Sequence, residues 1–125
     1  MIIEGYFQEI DSAIANCPHV FESQILKDKR SLYIGIVEGT IYFIDESVLH
    51  FIEFVNVKDK PEKHKYSYHY QDRDGEPIFR YDMAPHHREI ETFPHHKHTN
   101  SKKVIKSYPP SLAKILDEIE DIIKE

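Results

Sequence analysis

The chain has 125 residues and a formal net charge of −6, with 22 acidic residues against 16 basic ones. A chain of this length fits one domain, residues 1–125, and is long enough to bury a hydrophobic core. The negative charge argues against a protein that coats nucleic acid broadly, and the lack of an apolar run of about 18 residues argues against a membrane span. The single cysteine, Cys17, has no partner for an internal disulfide, and the first residues lack a signal-peptide pattern. These features together predict a cytoplasmic protein.

Two amphipathic helices are predicted, one near each end of the chain. Residues 4–16 carry one apolar stripe at helical spacing, which consists of Tyr6, Phe7, Ile10 and Ile14. The second helix begins near Pro109-Pro110-Ser111, because proline suits the first helical turn. Its stripe consists of Leu112, Ile115, Leu116, Ile119, Ile122 and Ile123. Both stripes predict helices that pack on a sheet.

Between the helices, runs of branched and aromatic residues predict short antiparallel strands. Leu32–Val37 and Ile41–Ile44 are two such runs, and Glu38-Gly39 is the predicted turn between them. Val48–Val57 alternates poorly, which favours a central strand covered on both faces, and Lys58–Lys65 is predicted to be a charged loop. The predicted fold class is α+β, with an antiparallel sheet of five or six strands and an N-terminal and a C-terminal helix packed on it.

A β-hairpin is predicted around Asp74-Gly75, a dipeptide favoured in two-residue type I′ turns. The predicted pairs are Tyr70–Phe79 and Tyr68–Tyr81 on one face, and His69–Arg80 and Ser67–Asp82 on the other. The first face is aromatic and is expected to pack. The second brings a base, a cation, a carboxylate and a hydroxyl within roughly 5–8 Å of one another. The alternative is a solvated charged face with no chemistry.

Histidines cluster after the hairpin. Five of the nine in the chain fall between positions 86 and 98, namely His86, His87, His95, His96 and His98. Histidine titrates near neutral pH, so it suits both proton transfer and metal binding. Pro85 and Pro94 favour extended segments, in which His96 and His98 would point to the same side. The isolated His19 and His50 are interpreted as structural.

Several of these strings resemble the TumE-type toxin family of prokaryotic toxin–antitoxin modules. They are Tyr66–Asp72, Arg80-Tyr81-Asp82, Pro85-His86-His87 and Phe93–His98. Glu38-Gly39-Thr40 through Glu46 is similar to the family's Asp-Gly-Ser turn and following acid, with Glu and Thr in place of Asp and Ser. The resemblance covers roughly residues 30 to 120. It implies a small toxin that is neutralised by a cognate antitoxin encoded beside it.

Three functions stay open at this point. The first is a metal-independent ribonuclease without a cofactor, in which one histidine deprotonates the ribose 2′-OH and a second protonates the leaving oxygen. Arg80 or Lys97 would hold the phosphate. The second is a hydrolase that holds a divalent transition metal such as zinc on histidines, with Asp82 as a further ligand. The third is a non-enzymatic protein whose histidines recognise a partner or RNA.

The candidate site residues follow from these alternatives. The predicted catalytic residues are His69, Arg80, Asp82, His86, His87, His95, His96 and His98. The predicted substrate-binding residues are Tyr68, Arg88, Lys97, Lys102 and Lys103. In the metal alternative, the ligands are drawn from His86, His87, His95, His96 and His98. The expected partners are the antitoxin and RNA but no membrane, and homo-oligomer formation stays open.

Overall fold

A computed structural model of the protein describes residues 1–83, 95–99, 104–106 and 108–125, with the backbone alone described at residue 96 and residues 104–106. In chain order the elements are α1 (Ile3–Ala15), β1 (Val20–Lys29), β2 (Ile34–Phe43), β3 (Val48–Asn56), β4 (Glu62–Gln71), β5 (Pro77–Met83), β6 (His95–Thr99), β7 (Val104–Lys106) and α2 (Leu112–Lys124).

The described strands form one antiparallel sheet, and each strand pairs with its neighbours in the chain, from β1 to β7. The two helices lie on the same side of this sheet. From α1, Tyr6 donates a hydrogen bond to Glu53 of β3, and from α2, Glu118 accepts one from Tyr81 of β5. The predicted α+β class with two packed helices is confirmed. The described part has seven strands, because the short segment β7 also pairs with β6.

The core lies between the helices and the sheet face that they cover. Its largest fully buried side chains include Tyr66, Tyr68, Tyr70, Ile41 and Leu49. The predicted stripe of α1 is buried throughout, and the first four residues of the stripe in α2 are buried. Because side chains alternate along a strand, the residues between these core positions point to the other side. We call that side, turned away from both helices, the open face.

The prediction of a turn at Glu38-Gly39 is wrong, because β2 runs through both residues without a break. The need for glycine at position 39 comes instead from the side chains around it. A Cβ atom there would lie 2.4 Å from Ile25 Cδ1 and 3.0 Å from Phe51 Cε1. The missing side chain therefore leaves room for the side chains of Ile25 and Phe51 from the two flanking strands, a use of glycine inside a strand that local sequence does not distinguish from a turn.

Two further predictions need correction. β3 is not covered on both faces: Leu49, Phe51 and Val55 are buried, whereas the residues between core positions are half-buried or exposed. The charged loop predicted over residues 58–65 is shorter, because β4 begins at Glu62. In that strand Lys63 is buried by pairing with a buried acid, and such a partner is invisible in the local sequence.

All four cross-strand pairs predicted for the hairpin are present: Tyr70–Phe79, Tyr68–Tyr81, His69–Arg80 and Ser67–Asp82. The predicted type I′ turn is wrong. Gly75 has φ +84°, but Asp74 does not have the positive φ that this turn requires. The Asp72 carboxylate instead accepts from the backbone N–H groups of Asp74 and Glu76, at 2.9 and 3.0 Å. The pairing still matches, because a register shift between Tyr70 and Gln71 offsets the longer turn.

Candidate functional site on the open face

One row of side chains crosses the open face from β1 to β6. Its members occupy directly opposed positions on consecutive strands, and they are Gln24, Thr40, His50, His69, Arg80 and His98. Opposed residues of antiparallel strands point to the same side of the sheet, so we call this line the polar row. Neighbouring strands lie about 4.8 Å apart. His69 and His98 therefore flank Arg80, each one strand away from it.

Asp82 contacts both Arg80 and His98 at one end of the row. Its Oδ2 lies 2.8 Å from Arg80 Nη2, and its Oδ1 lies 3.6 Å from His98 Nε2. Arg80 Nη2 is also 3.4 Å from His98 Nε2. The Asp82 side chain is only 12 % exposed, whereas that of Arg80 is 43 % exposed. The carboxylate thus holds one nitrogen of the guanidinium, while part of the Arg80 side chain stays exposed on the open face.

The surroundings of His69 favour the neutral form of its side chain. Burial lowers the pKa of His69 below its usual 6.5, and the charges of Arg80 and His50 lower it further. A lowered pKa keeps the imidazole neutral at neutral pH, and the neutral form is the one that accepts a proton.

His50 belongs to the row, although no local pattern in the sequence indicates this. Its Nδ1 lies 3.1 Å from Thr40 Oγ1, so the threonine hydroxyl orients an exposed ring. His50 is therefore not isolated in the fold, and its interpretation as a structural residue stays a prediction. The signal that would have found it is the pairing of β3 with β4, which places His50 opposite His69.

Two depressions on the open face meet at His69. The larger, of about 740 Å³, extends from Gln24 through Gly39 to His69. The smaller, of about 300 Å³, is lined by His69, Arg80 and His98, with Phe79 and Thr99 at its edge. Both volumes fall near the range of small-ligand sites, and the shared histidine makes them one continuous surface.

Three predicted site residues lie on the helix-covered face instead. Tyr68 is fully buried and donates a hydrogen bond to Glu53. Lys97 Nζ lies 2.9 Å from Glu118 Oε2 of α2. His95 Nδ1 lies 3.0 Å from the Tyr66 hydroxyl, and the two rings stack. The structure does not bring these residues together with Arg80, because side chains alternate along each strand and theirs point to the side of the sheet opposite to the polar row.

The rest of the predicted histidine and lysine site stays a prediction. His86, His87, Arg88, Lys102 and Lys103 lie outside the described residues. The backbone of His96 pairs with Asp82, and its side chain is not described. Among the residues whose side chains are described, no group of three or more His, Cys, Asp or Glu is placed to hold a metal ion.

A second charged group lies inside the core and was missed in the sequence. Glu53 is 0 % exposed and accepts hydrogen bonds from the hydroxyls of Tyr6 and Tyr68. Lys63 Nζ is 3.3 Å from Glu53 Oε2 and also donates to the Pro110 carbonyl of the segment leading into α2. Burial lowers the pKa of Lys63, and the charge of Glu53 opposes that shift. This group joins both helices to the sheet and has no access for a ligand.

The structure is thus a small α+β protein in which helices cover one side of an antiparallel sheet and a row of polar and titratable side chains lies on the other. The chain belongs to the TumE toxin family: residues 10–124 match the family described as Toxin TumE. This family of toxin–antitoxin modules implies a cognate antitoxin as partner. No curated protein and no solved structure shows a comparable match. Within the described ranges, no helix is long and apolar enough to cross a membrane.

Proposed function

We propose that this toxin is a metal-independent ribonuclease that cleaves RNA on its open face by histidine acid–base chemistry. One observation carries the proposal: His69 and His98 lie on either side of Arg80 in the polar row. Cleavage beside a ribose needs a base at the attacking hydroxyl, an acid at the leaving oxygen and a positive charge at the phosphate between them. The row supplies these three groups in that spatial order.

The proposed step balances without any further reactant. A nitrogen of His69 takes the proton of the ribose 2′-OH, and the 2′ oxygen forms a bond to phosphorus. The bond from phosphorus to the 5′ oxygen breaks, and that oxygen takes a proton from His98. Arg80 holds the non-bridging oxygens, on which negative charge increases in the transition state. The products are a 2′,3′-cyclic phosphate and a free 5′-hydroxyl.

His69 and His98 have different surroundings. Burial and the neighbouring charge of Arg80 lower the pKa of His69, which favours the neutral base. His98 Nε2 lies 3.6 Å from Asp82 Oδ1 and 3.4 Å from Arg80 Nη2, on the side of Arg80 opposite to His69. We therefore assign His69 as the base and His98 as the acid.

The cleavage test uses purified, untagged protein and a single-stranded RNA, with the DNA of the same sequence as substrate control. We expect RNA to be cleaved in the presence of a chelator, to cyclic-phosphate ends, and DNA to stay intact because it lacks the 2′-OH. His69→Ala and His98→Ala should each lower the rate by about 10²–10⁴-fold. The control His64→Ala removes an exposed histidine of β4 that packs on Phe54 and is not in the row.

The outcomes separate the alternatives. Cleavage that stops on chelation and returns with zinc would favour the metal-dependent hydrolase. Absence of cleavage for every RNA tested would favour the non-enzymatic binding protein.

Growth of a bacterial host links this chemistry to toxicity. Expression of the chain alone should slow growth, and co-expression of the adjacent antitoxin gene should restore it. His69→Ala should abolish the growth defect at equal soluble expression, whereas His64→Ala should keep it. Equal toxicity of the two variants would refute the assignment of His69.

A further inference from the structure

We infer that the larger depression of the open face is a base-binding site of the ribonuclease, and that it prefers a base with an amino group. This inference rests on the proposed function, since it places the nucleotide next to the phosphate held at Arg80. Its evidence is largely separate, however, because the proposed base contacts come from β1, β2 and β3, and the groove shares only its end at His69 with the residues assigned to proton transfer.

The depression is a groove that runs across the strands. One wall is the polar row, and the other is the next row on the same face, in which Leu26, Glu38, Ile52 and Ser67 oppose one another. Between the walls lies the row of Ile25, Gly39 and Phe51, whose side chains belong to the core side. The floor is therefore backbone, and the backbone of Gly39 lies in it.

The direction of the groove fits a single strand of RNA. It ends at His69, where the smaller depression with Arg80 begins. From Gln24 to His69 it crosses three strand spacings, roughly 14 Å. A phosphate at Arg80 would thus have its neighbouring nucleoside over the floor of the groove.

The charges of the lining residues indicate which depression takes the phosphate and which takes the base. None of the described residues that line the groove is Lys or Arg, and Glu38 is among them. A phosphate is repelled by Glu38 and attracted by Arg80, so the phosphate belongs in the smaller depression and the uncharged base in the groove. The apolar wall of Leu26 and Ile52 and the exposed ring of His50 offer flat contacts for a base.

Glu38 also sets the expected preference. An ionised carboxylate only accepts hydrogen bonds, and it pairs well with an amino group such as N4 of cytosine. Gln24 at the end of the groove both donates and accepts. Adenine, cytosine and guanine carry an amino group, whereas uracil has none. We therefore expect the site to favour the first three bases over uracil by about tenfold or more.

The test measures binding separately from cleavage. Fluorescence anisotropy gives the affinity of the full chain for short deoxy-oligonucleotides of adenine, cytosine or uracil, which the proposed chemistry does not cleave. We expect the uracil oligonucleotide to bind about tenfold more weakly than the other two. Glu38→Gln should reduce this difference to less than threefold. Glu22→Gln, the same charge change on the same face outside the groove, should leave the difference unchanged.

The outcomes distinguish this inference from the proposed function. A base preference that disappears only in Glu38→Gln supports the base site, even if the protein cleaves no RNA. Equal affinity for all three oligonucleotides overturns the base site and leaves cleavage, measured with RNA, as an independent result. Equal tightening of all three by Glu38→Gln and Glu22→Gln also overturns it, because the effect is then general electrostatics.

Discussion

The buried Glu53–Lys63 pair gives the sharpest test of how this fold is held together. Replacing Lys63 by Met keeps most of the apolar stem and removes the charge. Glu53 is then left as an uncompensated carboxylate that is 0 % exposed, and among the described residues its remaining donors are the hydroxyls of Tyr6 and Tyr68. Because the Lys63 side chain itself is only 8 % exposed, water does not take its place at low cost.

The expected magnitude follows from these contacts. Breaking a buried pair from one side costs about 3–5 kcal/mol. Two charge-assisted hydrogen bonds from tyrosine remain and stabilise the carboxylate, so we expect the lower end, about 3 kcal/mol. A domain of this size has a free energy of unfolding of about 5–15 kcal/mol. The Lys63→Met protein should therefore still fold, with a much smaller margin.

Urea unfolding followed by circular dichroism measures the effect. With an m-value of about 2 kcal/mol/M, a loss of 3 kcal/mol lowers the midpoint by roughly 1.5 M. Adding Glu53→Gln to Lys63→Met should recover part of the loss, because it removes the unpaired charge. Lys29→Met, which breaks the exposed contact with Glu4 at 2.7 Å, serves as the control with no resolvable change. A double variant that is less stable than Lys63→Met alone would refute the reasoning.

Three further changes test other parts of the structure. Gly39→Ala should cost about 1–3 kcal/mol of unfolding free energy by overpacking, because its Cβ would lie 2.4 Å from Ile25 Cδ1 and 3.0 Å from the Gln24 carbonyl oxygen, whereas Gly5→Ala, with no neighbour closer than 3.7 Å, should not destabilise the fold. Ser111→Ala should cost about 1 kcal/mol, because Ser111 caps α2 through a 3.2 Å hydrogen bond; an unchanged urea midpoint would refute the cap. By NMR, His69 should titrate below pH 6.5 and shift upward in Arg80→Gln. With a lowered pKa, His69 binds fewer protons in the folded state than in the unfolded state, so its contribution makes the free energy of unfolding fall as the pH drops through 6.5. An NMR titration midpoint of His69 above pH 6.5 would contradict this.

The elements that sequence predicted well are those with a strong local period. The stripe of α1 at Tyr6, Phe7, Ile10 and Ile14 needs no tertiary information, because one turn of helix brings these residues together. The hairpin pairs from Ser67–Asp82 to Tyr70–Phe79 were likewise fixed by a short turn and a period of two. The turn type was wrong and the pairs were right, since a register shift restored the alignment.

The elements that sequence could not predict depend on contacts between distant segments. Glu38-Gly39 has the composition of a turn, and only the approach of Ile25 and Phe51 from neighbouring strands explains the glycine. His50 joins the candidate site through the register of β3 against β4, and no local pattern reports that register. The burial of Glu53 could not be predicted from local sequence either, because its hydrogen-bond donors come from α1 and β4.

The far side of the sheet has a direct bearing on the spacing of the polar row. Glu118 of α2 accepts hydrogen bonds from Tyr81 of β5 at 2.5 Å and from Lys97 of β6 at 2.9 Å. One residue away on these same strands, Arg80 and His98 point to the opposite side. Glu118 of α2 thus links β5, which carries Arg80, the proposed phosphate-binding group, to β6, which carries His98, the proposed acid. A ligand that drew this helix off the sheet would leave every group of the row chemically intact while removing the contacts that link β5 and β6 on the helix-covered side.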